Sequence, residues 1–166
     1  MTIKEIHNLL VLTPDNFLKQ CKISYFQASG PGGQKRNRKL SAIRLTHQKT
    51  GIAVTSSEAR EPARNLARAV QKLRLELVLT APLENIDEND IPLSLFRAKI
   101  NELHADFPGC VLAAYPLFYL HEGGVGQTSE KLGVSSAALI RFFKKDKTLL
   151  RKIQDIRKQF GHYPLK

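Results

Sequence analysis

Residues 29–34 read Ser-Gly-Pro-Gly-Gly-Gln, a run that neither a helix interior nor a strand interior accommodates. Proline fixes φ and removes a backbone donor, and glycine weakens both regular elements. The run therefore marks a loop with a nearly bare main-chain tip, where another molecule can come close to backbone N–H groups. Behind it, Lys35-Arg36-Asn37-Arg38-Lys39 sets four cations in five positions. A bare tip, one amide side chain at Gln34 and a basic collar suit an RNA-rich site in which main-chain donors touch a reacting centre.

Regular elements are expected on both sides of the loop. Thr13-Pro14-Asp15 is a helix start, with threonine as cap and proline in the first turn, and predicts a short helix over residues 14–21. Residues 22–27 alternate imperfectly and residues 41–47 more cleanly between polar and apolar. Gln48-Lys49-Thr50-Gly51 supplies turn chemistry and residues 51–55 are β-prone, so residues 41–56 predict a hairpin. Leu66, Ala69, Val70, Leu73 and Leu77 fall at helical spacing from about 62 to 79, with Ser57 as a candidate cap. On that pattern Arg60, Arg64, Arg68, Lys72 and Arg74 point outward, either into solvent or toward RNA phosphate.

At 166 residues the chain is long enough for one ordinary domain or two small ones. Its net charge of +11 favours a polyanion, and the charge is unevenly spread. Residues 1–80 carry a net +9, residues 84–106 a net −4 and residues 107–166 a net +6. Two basic blocks around an acidic, proline-containing stretch predict modules at 1–80 and 106–166 joined by a connector at 81–105. In the second module, residues 107–120 are apolar and interrupted by Pro116. Residues 128–142 then read as a helix, a turn at Gly133, a serine cap and a second helix, a helix-turn-helix-like pattern, and residues 144–159 as a last basic helix. The expected fold class is α+β: a short mixed or antiparallel sheet packed on a helix, followed by a small helical module.

Several chemistries find no support in the residues. Cys21 and Cys110 stand 89 positions apart without metal-ligand spacing, so no metal and no cofactor is expected. His7, His47, His104, His121 and His162 are scattered, and no Ser-His-Asp set or carboxylate pair adjoins the loop. Residues 1–12 lack a signal-peptide core, and the longest apolar run, 111–120, is too short to cross a bilayer. A cytoplasmic protein with no membrane partner is the expectation.

Ala28 through Gln34, Asn37 and Ser41-Ala42-Ile43-Arg44 resemble the signature of class I peptide chain release factors. The same signature marks their codon-independent relatives, the single-domain ribosome-rescue peptidyl-tRNA hydrolases. Further agreement falls at His47, at Thr50-Gly51-Ile52, at Arg60 and at Asn65, so the resemblance covers roughly residues 20–77. Departures occur at Gln27, Lys35, Arg36 and Glu61-Pro62, which bear on docking more than on the intact glycines.

The resemblance implies a GGQ domain and hydrolysis of the peptidyl-tRNA ester in the peptidyl transferase centre of the large ribosomal subunit. Gly32, Gly33 and Gln34 would be catalytic. Lys35, Arg36, Arg38, Lys39, Arg60 and Arg64 would bind RNA, with Ser29, Gly30 and Asn37 supporting the loop. The expected partners are the ribosome, its RNA and P-site peptidyl-tRNA. A glutamine methyltransferase joins them as a candidate, since Gln34 matches a residue that is methylated in relatives. Codon-reading tripeptides of the Pro-x-Thr or Ser-Pro-Phe type are absent, and only about 20 residues precede the matched segment. Codon-independent release on stalled ribosomes is therefore expected, although the long basic tail of the rescue hydrolases has no counterpart here. Two alternatives stay open: an RNA-binding or RNA-repair-associated protein that keeps the fold without hydrolysis, and a DNA-binding regulator.

Overall fold

The computed structural model describes residues 1–27 and 41–165. It is an α+β fold, with a three-stranded antiparallel sheet and seven α-helices among the described residues. Two compact units form, one of Val11–Leu77 and one of Met1–Leu10 with Val78–Lys166. This division differs from 1–80, 81–105 and 106–166 because the first ten residues and the acidic stretch both belong to the helical unit.

In the first unit Thr13 caps a helix over Pro14–Leu18 (α2), its hydroxyl accepting from the Asn16 N–H at 3.4 Å. The strands are Cys21–Phe26 (β1), Ala42–His47 (β2) and Ala53–Ser56 (β3), in the order β1-β2-β3. In this register Cys21, Ile23 and Tyr25 stand opposite His47, Leu45 and Ile43. Side chains alternate between faces, so one face buries Cys21, Ile43, Leu45, His47 and Ser56. The other shows Lys22, Ser24, Phe26, Arg44 and Thr55 to solvent. Between β2 and β3 the chain reverses at Gly51, whose φ of +71° only glycine adopts without strain. A helix over Pro62–Leu79 (α3) adds Ala69, Val70, Leu73 and Leu77 to the buried set. Its span matches the periodicity, but Ser57 lies five residues before the first turn and does not cap it.

Arg74 departs from the outward arginine face. It is only 7% exposed, its guanidinium carbon sits 4.8 Å from the Phe17 ring centre, and Nη2 donates to the Leu12 carbonyl at 2.6 Å. A buried cation is tolerated when a ring face and a carbonyl replace water. Phe17 also stacks on His47, ring centres 6.4 Å apart, and His47 Nδ1 shares a 2.9 Å hydrogen bond with Thr50 Oγ1. Burial, and secondarily Lys49, push the His47 pKa below its ordinary 6.5, and burial pushes the Cys21 thiol up.

The helical unit is built around a helix over Phe107–Leu120 (α4) in which every residue from Cys110 to Phe118 is buried. Such all-round burial makes α4 the core element. Pro116 lies inside it and forfeits one backbone bond, and the helix continues through it because its neighbours are all packed. A helix over Ile3–Leu10 (α1) carries a capping box: Thr2 Oγ1 accepts from Glu5 N–H at 3.2 Å and Glu5 accepts from Thr2 N–H at 2.8 Å. Lys4 pairs with Asp90 at 2.7 Å, next to the 3-10 turn Glu88–Asp90. Ile91 and Ile100, from the stretch expected as a connector, are buried in the same unit.

The helix-turn-helix-like pattern is realised as Val125–Lys131 (α5) and Ser136–Phe143 (α6). Gly133, at φ +67°, closes α5, and Val134 N–H reaches back to the Ser129 carbonyl at 2.9 Å. Ser135 caps α6, and Asp146 caps the last helix, Lys147–Gln159 (α7), by accepting from Thr148 and Leu149 N–H at 2.8 and 2.9 Å. Phe142 contacts Phe96, Phe107 and Phe143 at ring-centre distances of 5.0, 5.5 and 5.9 Å.

Two predictions follow from the first unit's core. Arg74→Ala should cost about 2–4 kcal/mol, the sum of a charge-assisted hydrogen bond and a desolvated cation–ring contact, read by urea denaturation. The His47 contribution should be full above pH 6.5 and fall as pH drops toward the lower folded-state pKa, because only the unfolded chain then binds the proton. His47→Gln should flatten the change in urea midpoint between pH 7 and pH 5.

Candidate functional site

Ten sequence-selected residues lie within 28–40 and so outside the described residues: Gly32, Gly33 and Gln34, Lys35, Arg36, Arg38 and Lys39, and Ser29, Gly30 and Asn37. The frame that carries them is described. Phe26 and Ala42 form the last paired position of β1 and β2, and residues 28–40 lie between Gln27, just past β1, and Ser41, just before β2. They therefore join two strands whose register is set by six residue pairs.

Asn65 holds the return point. It is 0% exposed, and its Nδ2 donates to the Ser41 carbonyl at 2.7 Å and to the Ala59 carbonyl at 2.9 Å. Its Oδ1 accepts from Ala59 N–H at 2.9 Å, and the Ser56 hydroxyl oxygen lies 3.5 Å away. One amide thus uses both donors and accepts once while tying α3, the 57–61 segment and Ser41, the residue before β2. Neither serine nor leucine could do this, since the task needs two donors and an acceptor on one planar group.

Ser56 and Glu58 extend the frame. The Ser56 hydroxyl donates to Glu58 Oε2 at 2.7 Å, and Lys72 binds Glu58 Oε1 and the Thr55 carbonyl, the latter at 3.4 Å. Burial raises the Glu58 pKa, but hydrogen bonds from Lys72, Ser56 and the backbone outweigh it and bring it to about 2. The carboxylate therefore stays charged at any ordinary pH. Both partners are about half exposed, so the pair contributes little to stability and acts mainly to orient the segment.

Of the two arginines chosen as RNA contacts, Arg60 is exposed and directly follows Ala59, whose N–H and C=O are both held by Asn65. Arg64 is exposed in the first turn of α3 and pairs with Glu61 at 3.0 Å, an exposed contact weak enough to be exchanged for phosphate. Next to the loop, Tyr25 and Phe26 are 51% and 37% exposed. His47 is not drawn into the site, because burial and the Thr50 and Phe17 contacts hold it as a core residue. Among the described residues no group of three or more His, Cys, Asp or Glu is placed to hold a metal ion, and no helix is long and apolar enough to cross a membrane.

The model of the RF-1 domain matches residues 17–91, which covers the sheet, α3 and the loop between β1 and β2. Peptide chain release factor 1 of Geobacillus kaustophilus is 41% identical over 59 residues, 36% of this chain and 16% of that protein. Peptide chain release factor 1 of Erythrobacter litoralis is 46% identical over 59 residues, with shares of 36% and 17%. Peptide chain release factor 2 of Paramagnetospirillum magneticum is 47% identical over 58 residues, with shares of 35% and 16%. The chain thus spans about a sixth of the length of the curated relatives it matches.

Sequence reasoning named Asn65 only as part of the resemblance. A sharper signal was available, since Asn65 falls four residues before Ala69 on the apolar stripe of α3. A polar residue at a core position must find partners. Asn65→Asp keeps the shape but replaces two donors with a carboxylate facing the Ser41 and Ala59 carbonyls. It should cost about 2–4 kcal/mol of stability in denaturant titration. Any activity of the loop should fall by more than the unfolded fraction accounts for.

Proposed function

We propose that this protein hydrolyses the ester joining a nascent peptide to the 3′ end of transfer RNA, on ribosomes and without reading a codon. The observation that carries this is an unaltered Gly32-Gly33-Gln34 in the segment joining β1 to β2 of an RF-1 domain. Water attack on the ester carbon passes through a tetrahedral species whose former carbonyl oxygen bears negative charge. The Gln34 N–H, approached closely because Gly32 and Gly33 lack Cβ atoms, donates to that oxygen. Losing one such donor costs about 2.7–4 kcal/mol, or 10²–10³ in rate. The Gln34 side chain orients the water and excludes larger nucleophiles, and the substrate's ribose hydroxyl relays the proton, so the protein supplies no general base.

Lys35, Arg36, Arg38 and Lys39 bind phosphates of ribosomal and transfer RNA, with Arg60 and Arg64 at the base of the loop. Such contacts orient the protein without reading sequence and weaken with salt. Codon independence rests on the resemblance to the rescue hydrolases, and release with different A-site codons tests it. The partners are then the large-subunit peptidyl transferase centre, P-site peptidyl-tRNA and ribosomal RNA, with a methyltransferase acting on Gln34 as a further candidate. Cytoplasmic action follows from those partners. The alternative, an RNA-binding or repair-associated role without hydrolysis, is favoured by Arg36, where many relatives carry a small aliphatic residue.

Purified ribosomes with peptidyl-tRNA in the P site and an open A site provide the test. Peptide release should be the same with a sense codon, a stop codon or no codon in the A site, and Gly33→Ala should nearly abolish it. Lys35→Ala with Arg36→Ala should raise the concentration required and flatten the salt dependence. Dependence on a stop codon would remove codon independence. Equal release by the Gly33→Ala chain would remove the catalytic assignment and leave the RNA-binding alternative.

A further inference from the structure

Two sets of cations in the helical unit differ in what holds them. One is engaged within the fold: Arg97 pairs with Asp106 at 2.7 Å, Lys131 pairs with Glu88 at 2.6 Å, and Lys145 donates to the Ile100 carbonyl. Arg157 belongs with these, since Nε donates to the Tyr163 carbonyl and Nη1 to the Gly123 carbonyl, both at 2.7 Å. The other group is Lys147, Arg151 and Lys158 on α7, all exposed and none in an ion pair among the described residues. At 100° per residue these three fall within about 40° of one another, and at 1.5 Å per residue they span about 16 Å of the helix axis. Leu149, Ile153 and Ile156, all buried, point about 140–240° away from them. The helix is therefore locked into the fold along one side and presents a cationic stripe along the other.

We propose, taking from the ribosomal function above only the identity of the polyanion, that this stripe of α7 binds the phosphate backbone of a double-stranded RNA. It would be a second contact, separate from the basic residues of the loop. Charge complementarity selects the partner class. The stripe contains lysine and arginine with one acid, Asp155, and its one amide, Gln154, is held by the Leu165 backbone, which marks phosphate positioning over base readout. Duplex RNA is recognised chiefly through shape, phosphate and ribose contacts, which a rigid row of cations supplies. A membrane surface fits poorly, because an interfacial helix buries its apolar side in lipid and the apolar side of α7 is already packed within the protein. Sequence-specific DNA reading also fits poorly. The exposed side chains of α6, the second helix of the helix-turn-helix-like pair, are Ser136, Ala137 and Arg141, of which only arginine is long enough for a bidentate base contact.

The test uses the full chain and a fluorescently labelled RNA duplex of about 20 base pairs, followed by anisotropy across a salt series. Changing Lys147, Arg151 and Lys158 together to alanine should weaken binding about tenfold or more at low salt. It should also lower the slope of log K against log salt by about two to three, one unit for each lost phosphate contact. Asp155→Lys, which adds a cation to the same side, should tighten binding severalfold and steepen the slope. It also keeps the proposal falsifiable if the triple variant proves unstable. Unchanged affinity and slope in the triple variant with intact thermal unfolding, or in Asp155→Lys, would overturn the assignment. So would a preference for a DNA duplex of the same sequence, or triple-variant losses confined to phosphatidylserine vesicles. Failure of the hydrolytic function shows separately, as release indifferent to Gly33→Ala, and leaves duplex binding unaffected.

Discussion

The first unit depends on one buried amide. Asn65 is fully buried on the apolar stripe of α3, and three hydrogen bonds offset its burial by joining Ser41 and Ala59 to that helix. Remove that group and the buried Ser41 carbonyl and the half-buried Ala59 N–H and C=O lose their partners, with a penalty larger than the net value of any single bond. Asn65 fixes Ser41, where the described chain resumes, and the β1–β2 ladder fixes Phe26 before residues 28–40.

Charge follows a similar division of labour. Arg74 is spent on the Phe17 ring and the Leu12 carbonyl, Lys72 on Glu58, and Arg157 on two carbonyls. These cations stabilise local structure and are unavailable to a partner. Arg60 at the loop base and the α7 stripe are exposed, and Arg64 is held only by a weak exposed pair. A net charge of +11 therefore overstates the surface offered to a polyanion, and only side-chain placement separates structural cations from available ones.

Much of the local structure was legible. The Thr13-Pro14 start, the hairpin around Gly51, the 62–79 helix and the Gly133-Ser135 turn all follow from backbone preferences of single residues. The α1 helix was overlooked although Thr2 and Glu5 form a capping box at the expected spacing. Its assignment to the helical unit was not readable, because the packing partners of an amphipathic helix are not encoded in its own periodicity. Arg74 was misplaced for a related reason. Helical phase put it beside the apolar stripe, and only the arrival of Phe17 and Leu12 from elsewhere in the chain made burial favourable.

What the sequence by itself determined is the chemistry on offer: a bare glycine tip with Gln34, a basic collar, and an order of elements set by turn and cap residues that act over a few positions. What only the tertiary structure decided is which groups meet. Asn65 with Ser41 lies 24 residues apart, Arg74 with Leu12 lies 62 apart, and Arg157 with Gly123 lies 34 apart. Such contacts depend on three-dimensional distance and on desolvation at the meeting point, and neither quantity is written in any local stretch of chain.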